Sequence, residues 1–189
     1  MPRIGLDLPT VVQAAIEMAN NEGIEAVTIA ALAQKLHIRP PSLYNHINGL
    51  PELRRQLALA GIERMLEQFS TALHGKSGED AIRTFCSEYV SFARTHTGLY
   101  DAVQRAAAPD DTILQEASKR IVQLAVDALK DFGLEGDDVI HAVRVIRSML
   151  HGFATLERQG GFGLPLELEH TFHLLVSTYI EGIRSIYPK

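Results

Sequence analysis

The stretch Thr28-Ile29-Ala30-Ala31-Leu32-Ala33-Gln34-Lys35-Leu36-His37-Ile38-Arg39-Pro40-Pro41-Ser42-Leu43-Tyr44-Asn45-His46-Ile47 decides the fold. Thr28 is a favourable N-cap, and Ile29, Leu32, Ala33 and Leu36 fall on one face of a short helix ending at Leu36. After a two- to three-residue turn, Pro40 and Pro41 open a second short helix that runs to about His46. Two prolines fit only in a first turn, where their missing N–H groups would have no helical partner anyway. Ile38 and Leu43 pack back on the first helix, which leaves Arg39, Pro41, Ser42, Tyr44, Asn45 and His46 facing outward. Two short helices across a tight turn, preceded by a third, have the layout of a helix-turn-helix, whose second helix enters the DNA major groove. The outward groups are hydrogen-bonding or aromatic, suited to base edges and phosphates. Spacing alone fits equally a three-helix cap on a helical bundle.

Upstream, Asp7 caps a first helix with Pro9 in its first turn, and Val12, Ala15, Ile16 and Ala19 share a face until Asn21-Glu22-Gly23 ends it. Downstream, Asn48-Gly49 is a turn, and Leu50-Pro51-Glu52 begins a long fourth helix carrying Leu53, Leu57, Ile62, Met65, Leu66, Phe69 and Leu73. Gly75-Lys76-Ser77-Gly78 breaks it. A helix with Ile82, Phe85, Tyr89, Phe92 and Ala93 follows, then a short one from Leu99 to about Arg105. Pro109-Asp110-Asp111 and Gly136-Asp137-Asp138 cap two more, the second spanning about Val139 to Arg158. A loop, Gly160-Gly161-Phe162-Gly163-Leu164-Pro165, precedes a last helix from about Leu166 to Ile186. Strand alternation is nearly absent, so the expected fold is all-α. The expected division is an N-terminal three-helix domain over 1–50, a connecting fourth helix over 50–74, and a helical domain over 77–189.

The 189 residues are 46% hydrophobic and 22% charged, a globular composition. No run of about 20 apolar residues could span a membrane, and the N-terminus has no apolar secretory stretch. The single cysteine, Cys86, excludes an internal disulfide and any Cys-rich metal site, and the cytoplasm is the expected compartment. A net charge of -5 argues against nucleic acid. That total hides an asymmetry. Residues 28–62 hold Lys35, Arg39, Arg54 and Arg55 against Glu52 alone, whereas residues 76–189 hold twelve basic and sixteen acidic side chains. The basic patch is modest, which predicts few phosphate contacts per monomer and a mild salt dependence.

Thr28 to Leu36, followed by Ser42-Leu43-Tyr44-Asn45-His46-Ile47, closely resembles the TetR (tetracycline repressor) family over about residues 8–60. The resemblance implies a sequence-specific transcriptional regulator. Such a regulator is expected to be a repressor, released from a palindromic double-stranded DNA operator by a small-molecule effector. Carried over by position, Thr28 caps and touches phosphate, Arg39, Ser42 and Asn45 read bases or phosphates, and Tyr44 and His46 contact phosphate. Arg3 belongs to an N-terminal arm, and Pro41 stands on the reading face. Three positions depart from the family pattern. His37 stands where the turn glycine is usual, so a non-glycine residue is expected at positive φ. Ile47 replaces an aromatic, and Leu50 replaces a phosphate-binding lysine, whose charge Arg54 and Arg55 are expected to supply.

Phe92-Ala93-Arg94-Thr95-His96-Thr97-Gly98-Leu99-Tyr100 and Leu150-His151-Gly152-Phe153-Ala154-Thr155-Leu156-Glu157 resemble a regulatory-domain type of that family named for a Trp-His-Gly motif, with Leu150 in place of the Trp. That resemblance implies effector binding among the helices and a homodimer through the last two. The helix over 139–158 is apolar on two faces, Val139, Val143, Ile146, Leu150 and Phe153 on one and Ala142, Val145, Met149 and Leu156 on the other, so it needs two partners. Gly152 lies mid-helix, which costs about 1 kcal/mol against Ala and suggests a close helix crossing. Val139, Val143, Ile146, Phe172, Leu175, Val176, Tyr179 and Ile183 are the expected dimer residues, in a four-helix interface. Phe85, Tyr89, Phe92, Tyr100, Val103, Ile121, Met149, His151 and Phe153 are the expected pocket residues, although ordinary core packing explains any one of them as well. Cys86 fits a buried apolar role better than oxidant sensing, and His170 with His173 fits a solvated helix face better than a metal site. No metal, cofactor or membrane partner is expected, and no Gly-rich phosphate loop or nucleophile elbow suggests an enzyme. The alternative reading is a helical small-molecule-binding protein or protein–protein adaptor with a vestigial helix-turn-helix.

Overall fold

The computed structural model describes residues 6–104 and 110–188. Among them every regular element is helical. α1 (Leu8–Glu22) starts where the Thr10 amide donates to Asp7 Oδ1 at 2.9 Å, with a proline in its first turn. α2 (Ile29–Lys35) starts on Thr28, whose Oγ1 accepts from the Ala31 amide at 3.1 Å. α3 (Pro40–Leu43) is shorter than its pattern suggests. Residues 44–46 continue as a turn, with the His46 and Ile47 amides both donating to the Leu43 carbonyl. The long α4 (Gly49–Leu73), α5 (Gly78–Thr95), α6 (Thr97–Val103), α7 (Thr112–Leu129), α8 (Asp137–Arg158) and α9 (Leu168–Ile186) complete the order, with 3-10 turns at Ile24–Ala26 and Lys130–Phe132. Among the described residues no helix is long and apolar enough to cross a membrane.

Packing divides the chain into two compact units, Met1–Arg64 with His96–Ser118, and Met65–Thr95 with Lys119–Lys189. This differs from a cut at the 75–78 break. α4 runs through both units, and residues 96–118 group with the N-terminal helices. The reason is a glycine. A Cβ on Gly98 would stand 2.2 Å from the Ala19 backbone, so α6 seats on α1 at a distance no other residue permits. Leu99, Tyr100 and Ala102 are then buried in the first unit. Its core also takes Val11, Ala15 and Met18 of α1, Leu32 and Ala33 of α2, Leu43, Ile47, and Leu53 and Leu57 of α4.

The second unit buries Met65 and Phe69 of α4, Phe85, Cys86, Tyr89 and Phe92 of α5, Ile146, Leu150 and Phe153 of α8, and Phe172, Val176 and Tyr179 of α9. Phe69 meets Phe85 edge-on at 5.3 Å between centroids. The Tyr179 hydroxyl donates to the Ala142 carbonyl at 3.0 Å, which ties α9 to α8 without leaving a buried polar atom unmatched. Arg94 joins α5 to α8 and α9 through Glu157 and Glu169, each at 2.9 Å.

Candidate nucleic-acid interface

The α2–α3 turn is built by a strained residue. His37 sits at φ 55, while its own amide donates to Gln34 O at 3.1 Å and the Ile38 amide donates to Ala33 O at 3.0 Å. The left-handed region is uncommon for a side chain with a Cβ, though His tolerates it better than most. Arg39 is extended at φ -82, ψ 141, as a residue before proline prefers, and it aims the chain into α3. Leu43 is fully buried and Ile47 nearly so, so these two side chains fasten the segment from below. Ile47 thus plugs the core at the position where the family pattern has an aromatic.

Above that anchor, Arg39, Pro40, Pro41, Tyr44 and Asn45 are exposed, with Tyr44 at 59%. Ser42 and His46 are half-buried beside them. Thr28 is exposed, but its hydroxyl already caps α2. Residues 39–46 form one short segment around buried Leu43 that offers a guanidinium, a hydroxyl, an amide and a phenol for contact. Arg3 lies outside the described residues.

The charge is more committed than the sequence suggests. Lys35 pairs with Glu17 at 3.1 Å. Arg54 Nη2 donates to Glu25 Oε2 at 2.9 Å, and its Nε is buried with no partner. Arg55 grips Asp111 at 2.6 and 3.1 Å and reaches Glu52 at 3.6 Å. That grip holds the Asp111 carboxyl below the usual carboxylate range. Arg54 and Arg55, expected to supply a missing phosphate contact, each hold a carboxylate of the chain itself. Among the described residues Arg39 is the one cation of these four without an ion pair.

The expected pocket residues separate. Tyr100 and Val103 group with the first unit, and the other seven with the second. Phe85, Tyr89, Phe92, Tyr100 and Phe153 are packed core, and Phe153 stacks at 5.4 Å on both Phe162 and Phe172. Val103, Ile121, Met149 and His151 remain half-buried. A cleft of about 540 Å³ in the first unit is lined instead by Pro51, Glu52, Arg54, Arg55, Ala58, Ala102 and residues 110–114, and contains none of the nine. Cys86 is fully buried, and burial pushes its thiol up to about 12, which leaves no thiolate for oxidant chemistry. His170 and His173 are exposed, and no cluster of metal ligands occurs among the described residues.

The expected dimer residues divide by burial: Val143, Ile146, Phe172, Val176, Tyr179 and Ile183 are buried in the chain's own core. Val139 and Leu175 are half-buried. Of the other face of α8, Ala142 is buried, while Val145 is 51% and Leu156 46% exposed, in register with half-buried Met149 and Gly152. On α9, Leu174 and Ile186 are exposed, with half-buried Gly182 in register. Among the described residues, and apart from the glycine's chain neighbours and own helix backbone, nothing lies within 4 Å of a Cβ placed on Gly152 or Gly182. Gly152, from which the sequence suggests a close helix crossing, thus lies on the open side of α8, and Gly182 has the same surroundings on α9.

Residues 82–179 match the family described as Tetracyclin repressor-like, C-terminal domain. The chain is 35% identical to the HTH-type transcriptional regulator YobS of Bacillus subtilis over 183 residues, 96% of this chain and 95% of that one. It is 31% identical to an HTH-type transcriptional regulator of Mycobacterium tuberculosis over 156 residues, covering 82% of this chain and 72% of the relative. Among solved structures, a protein of unknown function from Rhodococcus sp. RHA1 superposes with a TM-score of 0.81 at 18% identity, covering 96% of this chain and 98% of the other, which is a likeness of fold.

Proposed function

The chain belongs to the tetracycline-repressor family of helix-turn-helix transcriptional regulators, and from that premise we propose how its residues read DNA and how they release it. It is a DNA-binding regulator of transcription, acting in the cytoplasm beside the chromosome. α3 and the turn after it enter the major groove. Asn45, Ser42 and Arg39 meet base edges and phosphates, while Tyr44 and His46 contact the backbone. The observation that carries this reading is the exposed row from Arg39 to Asn45 held over buried Leu43 and Ile47. Because three of the four local cations are already paired, binding rests on directed hydrogen bonds and on two joined subunits more than on bulk attraction.

The second subunit docks on the open faces of α8 and α9, along Val145, Met149, Gly152, Leu156, Leu174, Gly182 and Ile186. A mid-helix glycine with nothing near it is unfavourable by about 1 kcal/mol and is explained when another helix crosses there. A two-fold dimer sets its reading segments about 34–36 Å apart, one DNA turn, on a near-palindromic operator. A small-molecule effector binds among the helices of the second unit, against half-buried Ile121 and His151, or by opening the packed aromatic core. It favours a conformation of lower operator affinity, and must therefore bind the two conformations unequally. Repression relieved by an effector is the regulation that follows.

The test is selection of duplexes from a random-sequence library by the purified chain, followed by binding titrations at several salt concentrations. The expected result is an enriched near-palindrome, bound with a shallow salt dependence. Failure to enrich any sequence overturns the reading.

A further inference from the structure

α1 and α6 close each other's ends through two side chains, Asn20 and Thr97. Asn20 stands in the last turn of α1, and its Oδ1 accepts from the Gly98 amide at 3.0 Å and from the Leu99 amide at 3.4 Å. These are first-turn amides of α6, which have no partner within their own helix. His96, the residue at the N-cap of α6, makes no capping hydrogen bond with its side chain. Asn20 therefore does the capping from another helix, 78 residues away in sequence. In return the Thr97 hydroxyl donates to the Asn20 carbonyl at 3.1 Å, which satisfies an acceptor at the C-terminal end of α1. Gly98 lies against the Ala19 backbone with no room for a Cβ, so the joint has little slack. A Cβ on Gly61 of α4 would stand 2.6 Å from the Val103 side chain and 3.1 Å from the Leu99 carbonyl, so α6 also lies close to α4, though less tightly than to α1.

We propose that Asn20 is a positioning residue for DNA binding: by capping α6 from the end of α1, it fixes α1, and with it the α2–α3 pair packed on α1, at the angle from which the reading groups reach DNA. The inference rests on the proposed role of residues 39–46. Asn20 touches no DNA. It acts through the seat of α1 between α2 and α6, and α2 has direct contact with α1. Loss of its amide oxygen leaves two buried amides of α6 to find new partners, which loosens the seat of α6 against the end of α1. A carboxylate at the same place keeps the acceptor and suits a helix N-terminus, so Asn20→Asp preserves the joint.

The experiment compares Asn20→Ala, Asn20→Asp and Asp131→Ala with the parent. Asp131 provides a matched control, because its Oδ2 accepts from the Gly78 amide at 2.8 Å in the second unit. Three quantities are read: amide exchange at Gly98 and Leu99, thermal stability, and affinity for the duplex enriched by the parent from a random library. Asn20→Ala is expected to lose exchange protection at those two amides and to weaken the duplex roughly five- to tenfold, the weight of a helix cap. Asn20→Asp keeps both, and Asp131→Ala lowers stability while duplex affinity holds. Parent-like affinity in Asn20→Ala, or equal affinity losses in Asn20→Ala and Asp131→Ala, overturns the proposal alone. No enrichment by the parent overturns the DNA-binding reading and this proposal with it.

Discussion

Two helix pairs in this chain follow opposite logic. In α2–α3 each helix has one apolar face, and Leu32, Ala33 and Leu43 go inside while Arg39, Tyr44 and Asn45 stay outside. In α8–α9 each helix carries apolar side chains on two sides, and one set is buried while the other is left open. The difference teaches where pattern reading succeeds. One apolar stripe has one destination. Two stripes have two, and periodicity does not say which is the monomer's core.

The largest expected effect separates neighbouring residues on α8. Ile146 is 2% exposed and Val145 is 51% exposed. Ile146→Asp buries an unpaired charge and destabilises the fold by roughly 4 kcal/mol or more, read as loss of helical circular dichroism at ordinary temperature. Val145→Asp leaves the monomer within about 0.5 kcal/mol of the parent, yet shifts light scattering from dimer to monomer. If both variants unfold, or if Val145→Asp stays dimeric, the assignment of the two faces is wrong.

The α2–α3 side of the comparison is sharpened by DNA titrations. Asn45→Ala is expected to lose about 1–3 kcal/mol of discrimination between the selected duplex and a scrambled one. Arg39→Ala weakens both duplexes alike and lowers the salt slope by about 1 per subunit, because Arg39 is the uncommitted cation. Identical behaviour of the two variants would remove the distinction between reading and anchoring groups.

Gly152→Ala probes the open face more gently. The helix gains up to about 1 kcal/mol in the monomer, since the added methyl meets nothing, while the dimer loosens as the crossing helix is pushed away. Opposite signs in a melt of the isolated monomer and in the dimer dissociation constant are the expected pattern. The smallest effect belongs to the turn. His37→Gly relieves a left-handed backbone at φ 55 and stabilises by under about 1 kcal/mol, because the freed unfolded chain offsets part of the relief. A melt that moves down instead would mean that the imidazole itself holds the turn.

Most of the fold was legible, because its signals are local. Asp7 and Thr28 cap where their side chains predict, Pro40 and Pro41 open α3, and His37 takes the positive φ that its place in the turn implies. The exposure of Arg39, Pro41, Tyr44 and Asn45 was legible for the same reason: over a few residues, burial of Leu43 leaves its neighbours to solvent. The commitment of Arg54 was not, because Glu25 lies 29 residues earlier and no periodicity joins them. The grouping of residues 96–118 with the N-terminal helices was hidden too, since it depends on a backbone approach at Gly98 that only α1 reveals.

By itself the amino-acid order determined an all-helical chain, a helix-turn-helix near its start, and a locally basic segment within an acidic whole. These follow from short-range sterics, capping and charge, which act between residues a turn or two apart. Tertiary structure alone decided which cations stay free, which helix end Asn20 closes, and which apolar face of α8 is core. Each of those is a competition among partners far apart in sequence, and packing settles it by burying one candidate and leaving the other exposed.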